Sequence, residues 1–173
     1  MQILCGAGFD ETAIDFSALV SALTHKNAVV RRNAREQLVA VGRPIVDAVR
    51  QLLHDKRPHV RWEAVKTLAS IADPRTAGAL VQVLEEEDEF DIRWVAGEGL
   101  AAMGREGLRP LLATLAARPG SATLQEGARH VCHHLSHRRA FRLIVPLLIA
   151  LRSAEPTLAM PILARRALAE LGR

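Results

Sequence analysis

Apolar residues recur along the chain with the spacing of an amphipathic helix, and the same arrangement returns several times. Residues 60–71 and 92–103 carry Arg, Trp, Ala, Leu and Ala at corresponding positions. Within each copy the apolar positions fall at i, i+4, i+8 and i+11, which places them in one stripe along a helix. Five copies fit this frame, and they begin at Val30, Val60, Ile92, Leu124 and Met160.

A second apolar stripe follows each of the first four. These second stripes are Val46, Val49 and Leu53; Ala77, Leu80 and Leu84; Leu108, Leu111 and Leu115; and Ile144, Leu147 and Leu151. Gly42, Gly104 and Gly172 come just after a first stripe, where a left-handed glycine commonly ends a helix. Asp73-Pro74 then supplies an N-cap acid and a first-turn proline for a new helix. The repeating unit is therefore predicted to be two helices joined by a short turn.

Neither helix of such a unit can bury its apolar stripe alone, but stacked pairs can. We therefore expect one all-α domain over residues 1–173. It is predicted to be an α-solenoid, a right-handed superhelix of about five helix pairs and about ten helices. A lone helix over about residues 11–24, capped by Asp10, precedes repeats that begin near residues 28, 58, 90, 121 and 157.

The motif Val/Ile-Arg-x-x-Ala-x-x-x-Leu begins at Val30, Val60 and Ile92. It resembles HEAT-like repeats, in particular the short bacterial form that also occurs in phycobilisome lyases. The resemblance is strong over residues 28–116. It implies that an acid six places before the motif arginine pairs with it across the turn between repeats. The matching pairs are Asp55 with Arg61 and Glu87 with Arg93, whereas His25 stands in the place of the acid before Arg31.

The resemblance gives the motif arginines a structural role. Trp62 and Trp94 follow them directly, and we expect both rings to be partly exposed packing residues, with ligand stacking as the alternative. The metal-dependent hydroxylases of this family carry His-Glu pairs on their first helices, where this chain has Trp62-Glu63 and Trp94-Val95. No phosphate-binding loop or nucleophile elbow is present either. We expect no enzyme activity and no cofactor.

Composition and charge disfavour several further classes of protein. The chain has 49% apolar residues but only 4 Phe, 2 Trp and no Tyr, and its net charge of +4 comes from 23 basic and 19 acidic residues. This mixed charge disfavours a dedicated nucleic-acid binder. Two cysteines give no disulfide framework, and the longest charge-free apolar run, residues 143–151, is too short to span a membrane. These features favour a cytoplasmic protein without membrane contact.

Four histidines fall within one predicted helix: His130, His133, His134 and His137. The i, i+4 pairs can chelate a divalent metal, and the core stripe of this helix leaves all four facing away from the core. The alternative is a histidine-rich solvated surface, because Glu126 is the only acid nearby and a catalytic metal would need more. Cys132 points the other way and is expected in the core.

In solenoids of this family the second helices line the concave side. Projection of the stripes predicts an outward, partner-binding set composed of Asp47, Arg50, Gln51, His54, Gln82 and Arg109, together with Val145 and Ile149. The last two belong to a helix that is apolar on every face, which leaves two explanations. Either the final helix folds over it, or it contacts a partner. The final helix itself either caps the stack or pairs with a second copy in a homodimer.

The function favoured by these features is protein–protein recognition by a non-enzymatic adaptor. The resemblance implies one alternative, an accessory module similar to phycobilin lyase subunits that binds a tetrapyrrole in an apolar groove. The other alternative is electrostatic nucleic-acid binding, whose six arginines are Arg31, Arg32, Arg35, Arg138, Arg139 and Arg142.

Overall fold

A computed structural model describes residues 16–136, 144–153 and 155–172 of the chain. These residues form ten α-helices and three short 3₁₀ turns, and they contain no strand. The helices are α1 Phe16–Ala22, α2 Ala28–Val41, α3 Val46–Arg50, α4 Pro58–Ile71, α5 Ala77–Glu86, α6 Phe90–Ala102, α7 Arg105–Ala117, α8 Ala122–Ser136, α9 Ile144–Leu151 and α10 Pro156–Leu171. The 3₁₀ turns are Arg43–Ile45, Gln51–His54 and Pro74–Thr76.

The helices alternate between two layers, as an α-solenoid requires. The first helices α2, α4, α6 and α8 pack side by side in chain order, and the second helix α5 packs against α6 and α7. The repeated frame places its small residue and the apolar residue four places later in the core of every pair. These eight buried residues are Ala34, Ala64, Ala96 and Ala128, with Leu38, Leu68, Leu100 and Cys132.

Most helices end close to the glycine and proline residues that the sequence predicts as boundaries. Gly42 and Gly104 have positive φ angles of 75° and 61°, but their ψ angles of −132° and −119° lie outside the left-handed helical region, so neither forms the predicted left-handed cap. Gly172 has φ −79°, so the prediction of a left-handed cap is wrong there as well. Ala72 takes the left-handed conformation after α4, with φ 52°. Asp73 then accepts a hydrogen bond from the backbone N–H of Arg75 at 2.9 Å and caps the next turn.

The last two helices depart from the simple alternation. By its offset, α10 corresponds to the first helices of the earlier pairs, yet it packs along α7, which is a second helix, and against α9. The guanidinium groups of Arg105 and Arg109 at the start of α7 donate to the carbonyl oxygen of Leu171 at 3.1 and 2.7 Å. The two helices are therefore antiparallel. Met160, Ala164 and Ala167 of α10 are buried, so α10 covers the apolar side of α7.

Candidate functional site

Five of the eight predicted partner-binding residues belong to α3, to the 3₁₀ turn after it and to α5. Asp47, Arg50, Gln51, His54 and Gln82 are all exposed, and we call them the second-helix face. His54 and Gln82 line a polar cleft of about 350 Å³ between the 3₁₀ turn after α3 and the helix α5. Asp47 lies 3.9 Å from Arg50 and 3.7 Å from Arg75. The face therefore presents both signs of charge.

The other three predicted residues lie elsewhere. One nitrogen of Arg109 is already bonded to the C-terminal carbonyl of α10, so this side chain joins two helices. Val145 and Ile149 of α9 stay 48% and 66% exposed although α10 packs against α9. The final helix thus does not fold over these two side chains, and the explanation that it covers them is wrong.

The motif arginines bind carbonyl and carboxylate oxygens in the turns between repeats. Arg61 donates to the backbone carbonyl of Asp55 at 3.0 Å and forms a two-pronged ion pair with Glu87 of the next turn, at 2.6 and 2.7 Å. Arg93 likewise donates to the backbone carbonyl of Glu87. The arginine therefore binds the carbonyl oxygen of the residue six places before it, and the pairing with that residue's own carboxylate is not formed.

This geometry explains why a histidine can take the place of the acid. Arg31 donates to the carbonyl of His25 at 2.9 Å, as Arg61 does to that of Asp55. The side chains at the equivalent positions instead accept the backbone N–H two residues later: His25 Nδ1 at 3.0 Å, Asp55 Oδ1 at 2.9 Å and Glu87 Oε1 at 3.2 Å. The position needs a hydrogen-bond acceptor rather than a charge.

The arginines proposed for nucleic-acid binding are largely neutralised. Arg31 and Arg35 are 13% and 16% exposed and pair with the buried carboxylate of Glu63. Arg32 pairs with Glu36 at 3.0 Å. The other three, Arg138, Arg139 and Arg142, lie outside the described residues. The described half of this set therefore presents little free positive charge to a phosphate backbone.

The histidine cluster is not a uniform surface. His130 lies outside the core stripe of α8, but only 17% of its side chain is exposed because it packs against α6. Its Nε2 lies 2.7 Å from Oε1 of Glu98 on α6, and its ring lies 3.7 Å from that of Trp94, centroid to centroid. His134 Nδ1 is 3.9 Å from the same Glu98 oxygen, and His133 is exposed. Glu98 is not among the residues predicted from the sequence, although the 32-residue offset between repeats places residue 98 opposite residue 130.

Metal binding by the histidine cluster stays a prediction. His137 lies outside the described residues, and the described ranges contain no group of three or more His, Cys, Asp or Glu side chains that could hold a metal ion. Cys132 is fully buried, and burial raises the pKa of its thiol to about 12. It is therefore a core residue that stays protonated at neutral pH.

A second cleft, of about 300 Å³, opens where α8 crosses the start of α6. We call it the aromatic cleft and define it by Phe90, Trp94, Gly127, His130, Arg129 and Arg152, which line it with neighbouring residues. Trp94 lies 5.9 Å from Phe90, and the two rings are 47% and 51% exposed. Exposed aromatic rings that lie side by side are typical of binding surfaces.

Two glycines inside helices make the aromatic cleft possible. A Cβ atom at Gly97 of α6 would lie 2.9 Å from Cδ2 of His130, and one at Gly127 of α8 would lie 2.0 Å from Cδ2 of Leu84. Glycine within a helix costs about 0.5–1 kcal/mol relative to alanine. Here it allows the His130 ring to lie against α6, and it allows the end of α5 to touch α8.

Positive charge surrounds one end of this cleft. Nη2 of Arg129 donates a hydrogen bond to the carbonyl oxygen of Leu151 at 3.2 Å. Arg152 is exposed just after the end of α9. Arg93 stacks on Phe90 at 5.8 Å and donates to carbonyl oxygens of the acidic turn before α6. Glu126 is the one carboxylate among the described residues that line the cleft. The end near Arg129 and Arg152 therefore attracts anionic groups.

The family model described as HEAT repeats matches residues 16–101, which covers the helices from α1 to α6. No curated protein is similar enough to the sequence to count as a match. Among the described residues, no helix has the length and apolar character needed to cross a membrane.

Proposed function

Because the chain is a HEAT-like repeat protein, we propose that it is a non-enzymatic adaptor that binds another protein through the second-helix face. HEAT repeats commonly mediate protein–protein contacts, and stacked helix pairs create the extended surfaces that such contacts need. The cytoplasmic location favoured by the two cysteines is part of the same proposal.

The observation that supports this proposal is the exposure of the whole second-helix face. Buried residues of α3 and α5, such as Val49 and Leu80, form the core, while the polar side chains on the opposite side of these helices point to solvent. Gln82 bonds to Glu86 at 2.8 Å, and Asp47 lies near two arginines. Such weak surface interactions contribute little to folding, so these groups remain available to a partner.

Site-specific crosslinking tests the proposal. A photoreactive phenylalanine at Gln51 or Gln82 should capture the same protein from a native lysate, whereas one at His59, which is exposed on the first helix α4, should not. The captured protein is then purified, and Arg50→Glu should weaken its binding by about tenfold, a typical loss for one interfacial charge. Equal capture from His59, or unchanged affinity of the Arg50 variant, would contradict the proposal.

Val145 and Ile149 form a separate part of the proposal. Their exposed apolar side chains on α9 suit a contact with a second copy of the chain or with the partner. Light scattering at increasing protein concentration should detect self-association, and Ile149→Glu should remove it. If the wild type stays monomeric and Ile149→Glu leaves partner affinity unchanged, α9 has no role in binding.

A further inference from the structure

We propose that the aromatic cleft binds a short acidic peptide segment of a partner protein through one aromatic or large aliphatic anchor residue. The inference rests on the proposed role in protein recognition, but it concerns a different surface. Its defining residues lie on α6 and α8 and at the end of α9, and Leu84 of α5 also lines it, whereas the second-helix face lies on α3, on the 3₁₀ turn after α3 and on the exposed side of α5.

The walls of the cleft favour an apolar anchor. Phe90 and Trp94 present two exposed rings, and Leu84 and Gly127 complete the apolar lining. A Trp at the equivalent place of the preceding repeat behaves differently: Trp62 packs against the core and carries Lys66 5.0 Å above its ring. The repeat alone therefore does not require an exposed ring at this position, and Trp94 is exposed for a reason specific to this pair of helices.

The size of the cleft favours a peptide over an enclosed small molecule. A volume of about 300 Å³ lies at the lower end of the range that holds a drug-sized ligand. It accommodates an anchor side chain, while the rest of the ligand must lie across the surface. Anchors of this kind dominate the affinity of protein interfaces when they enter a pocket.

The charged residues around the cleft determine which peptide residues can lie beside the anchor. Arg129 and Arg152 line the cleft together with the one carboxylate of Glu126, and among the described residues neither arginine forms an ion pair, since Arg129 donates to the neutral carbonyl oxygen of Leu151. Arg93, by contrast, is held by the acidic turn that includes Glu87 and Asp88. An Asp or Glu side chain of the peptide therefore gains most when it lies beside the anchor on the Arg152 side, where a two-pronged guanidinium contact can form.

Peptide selection tests the inference directly. A phage library of random 12-residue peptides is panned against the wild-type protein after depletion on the Trp94→Ala variant. The enriched peptides should share an aromatic or large aliphatic residue with Asp or Glu within two or three positions. A synthetic consensus peptide should bind at least about tenfold more weakly to Trp94→Ala and to Arg152→Glu, whereas Trp62→Ala, the matched residue of the preceding repeat, should bind it normally.

A charge exchange makes the test specific. Replacing the acidic residue of the peptide by Lys should abolish binding to the wild type and restore part of it with Arg152→Glu. Biliverdin serves as the small-molecule probe. The inference is overturned if no peptide is enriched, if the consensus lacks acidic residues, if Trp62→Ala weakens binding as much as Trp94→Ala, or if biliverdin alone binds in a Trp94-dependent way. Crosslinking from Gln51 and Gln82 would be unaffected by any of these results, so the proposed function fails or survives separately.

Discussion

Among single residues, Glu63 has a carboxylate that is 6% exposed and lies between two arginines of the preceding first helix. Arg35 Nη1 is 2.5 Å from one oxygen and Arg31 Nε is 3.5 Å from the other. Arg31 also donates to the backbone carbonyls of His25 and Lys26, so it would remain in place if the carboxylate were removed. This carboxylate therefore offers a way to measure what a buried ion pair contributes between two repeats.

We expect Glu63→Ala to lower the free energy of unfolding by about 2–4 kcal/mol, because it leaves two largely buried cations without their counter-charge. The matched control is Glu36→Ala. Its pair with Arg32 is solvent-exposed on both sides, so its loss should cost less than about 0.5 kcal/mol. Urea unfolding followed by circular dichroism measures both. Similar losses in the two variants would mean that the Glu63 cluster does not couple the helices.

Acid pH should weaken the turns between repeats. The hydrogen bond from Arg61 lowers the pKa of Glu87, and that from Arg75 lowers the pKa of Asp73. Each carboxylate therefore favours the folded state above its unfolded pKa of about 4, and this contribution is lost as pH falls through the lower folded value. The free energy of unfolding should stay level from pH 7 to about pH 5 and decline below about pH 4. Glu87→Gln should reduce that decline, and an identical profile for the variant would contradict the assignment.

At the scale of elements, the end of α4 is built with a strained residue. Ala72 holds φ 52°, whereas the equivalent place after α2 is Gly42, with φ 75°. A left-handed conformation costs a residue with a Cβ about 1–2 kcal/mol, and glycine loses part of this advantage through the entropy of its unfolded state. Ala72→Gly should therefore raise the melting temperature by a few degrees, and Gly42→Ala should lower it. Scanning calorimetry measures the melting temperatures of both variants. A lower melting temperature for Ala72→Gly would show that the strain at Ala72 is absent.

The contact between α6 and α7 depends on one glycine. A Cβ at Gly107 would lie 2.1 Å from the carbonyl oxygen of Leu100, a backbone atom that cannot turn aside. Gly107→Ala should therefore separate the two helices and cost about 1–3 kcal/mol or more. Gly120→Ala is the control, since a Cβ there has no atom within 4 Å. Urea midpoints of the two variants give the comparison, and equal midpoints would exclude close packing at Gly107.

Local elements were largely predictable because their causes are local. The frame that begins at Val60 and Ile92 determines which side of α4 and α6 is buried, and α2 and α6 end close to Gly42 and Gly104, although neither glycine forms the predicted left-handed cap. Contacts between repeats were harder to predict. Glu98 reaches His130 and Arg61 reaches Glu87 across 32 and 26 residues, and a stripe pattern says which face is buried but not which polar side chains meet beside it.

At the scale of the whole molecule, the C-terminal region shows why the periodicity of the sequence alone does not predict which helices pack together. The offset of α10 from α8 resembles the earlier spacings, so the pattern placed it among the first helices. It packs instead on the apolar side of α7, where Arg105 and Arg109 both donate to the carbonyl oxygen of Leu171 at its end. The position of α10 therefore depends on contacts with α7 and α9, which a single repeat does not encode.

Hydrogen exchange should show the role of these two arginines in the whole stack. In Arg105→Ala/Arg109→Ala we expect faster amide exchange in α10 and α9, with α2 and α4 unchanged, because contacts in a solenoid are made mainly between neighbours. The measurement is mass spectrometry of peptides after timed labelling. A uniform increase along the chain would contradict local coupling, and no increase in α10 would show that its apolar contacts with α7 are sufficient.

The antiparallel placement of α10 also determines how the array can change in length. A further helix pair added beyond α9 would compete with α10 for the side of α7 that α10 now occupies. An extra copy inserted between the central repeats meets no such obstacle, because α4 and α6 already present the same alternation of buried alanine and leucine on both of its sides. Duplication of residues 58–89 should thus give a longer folded array in which α10 keeps its contacts with α7.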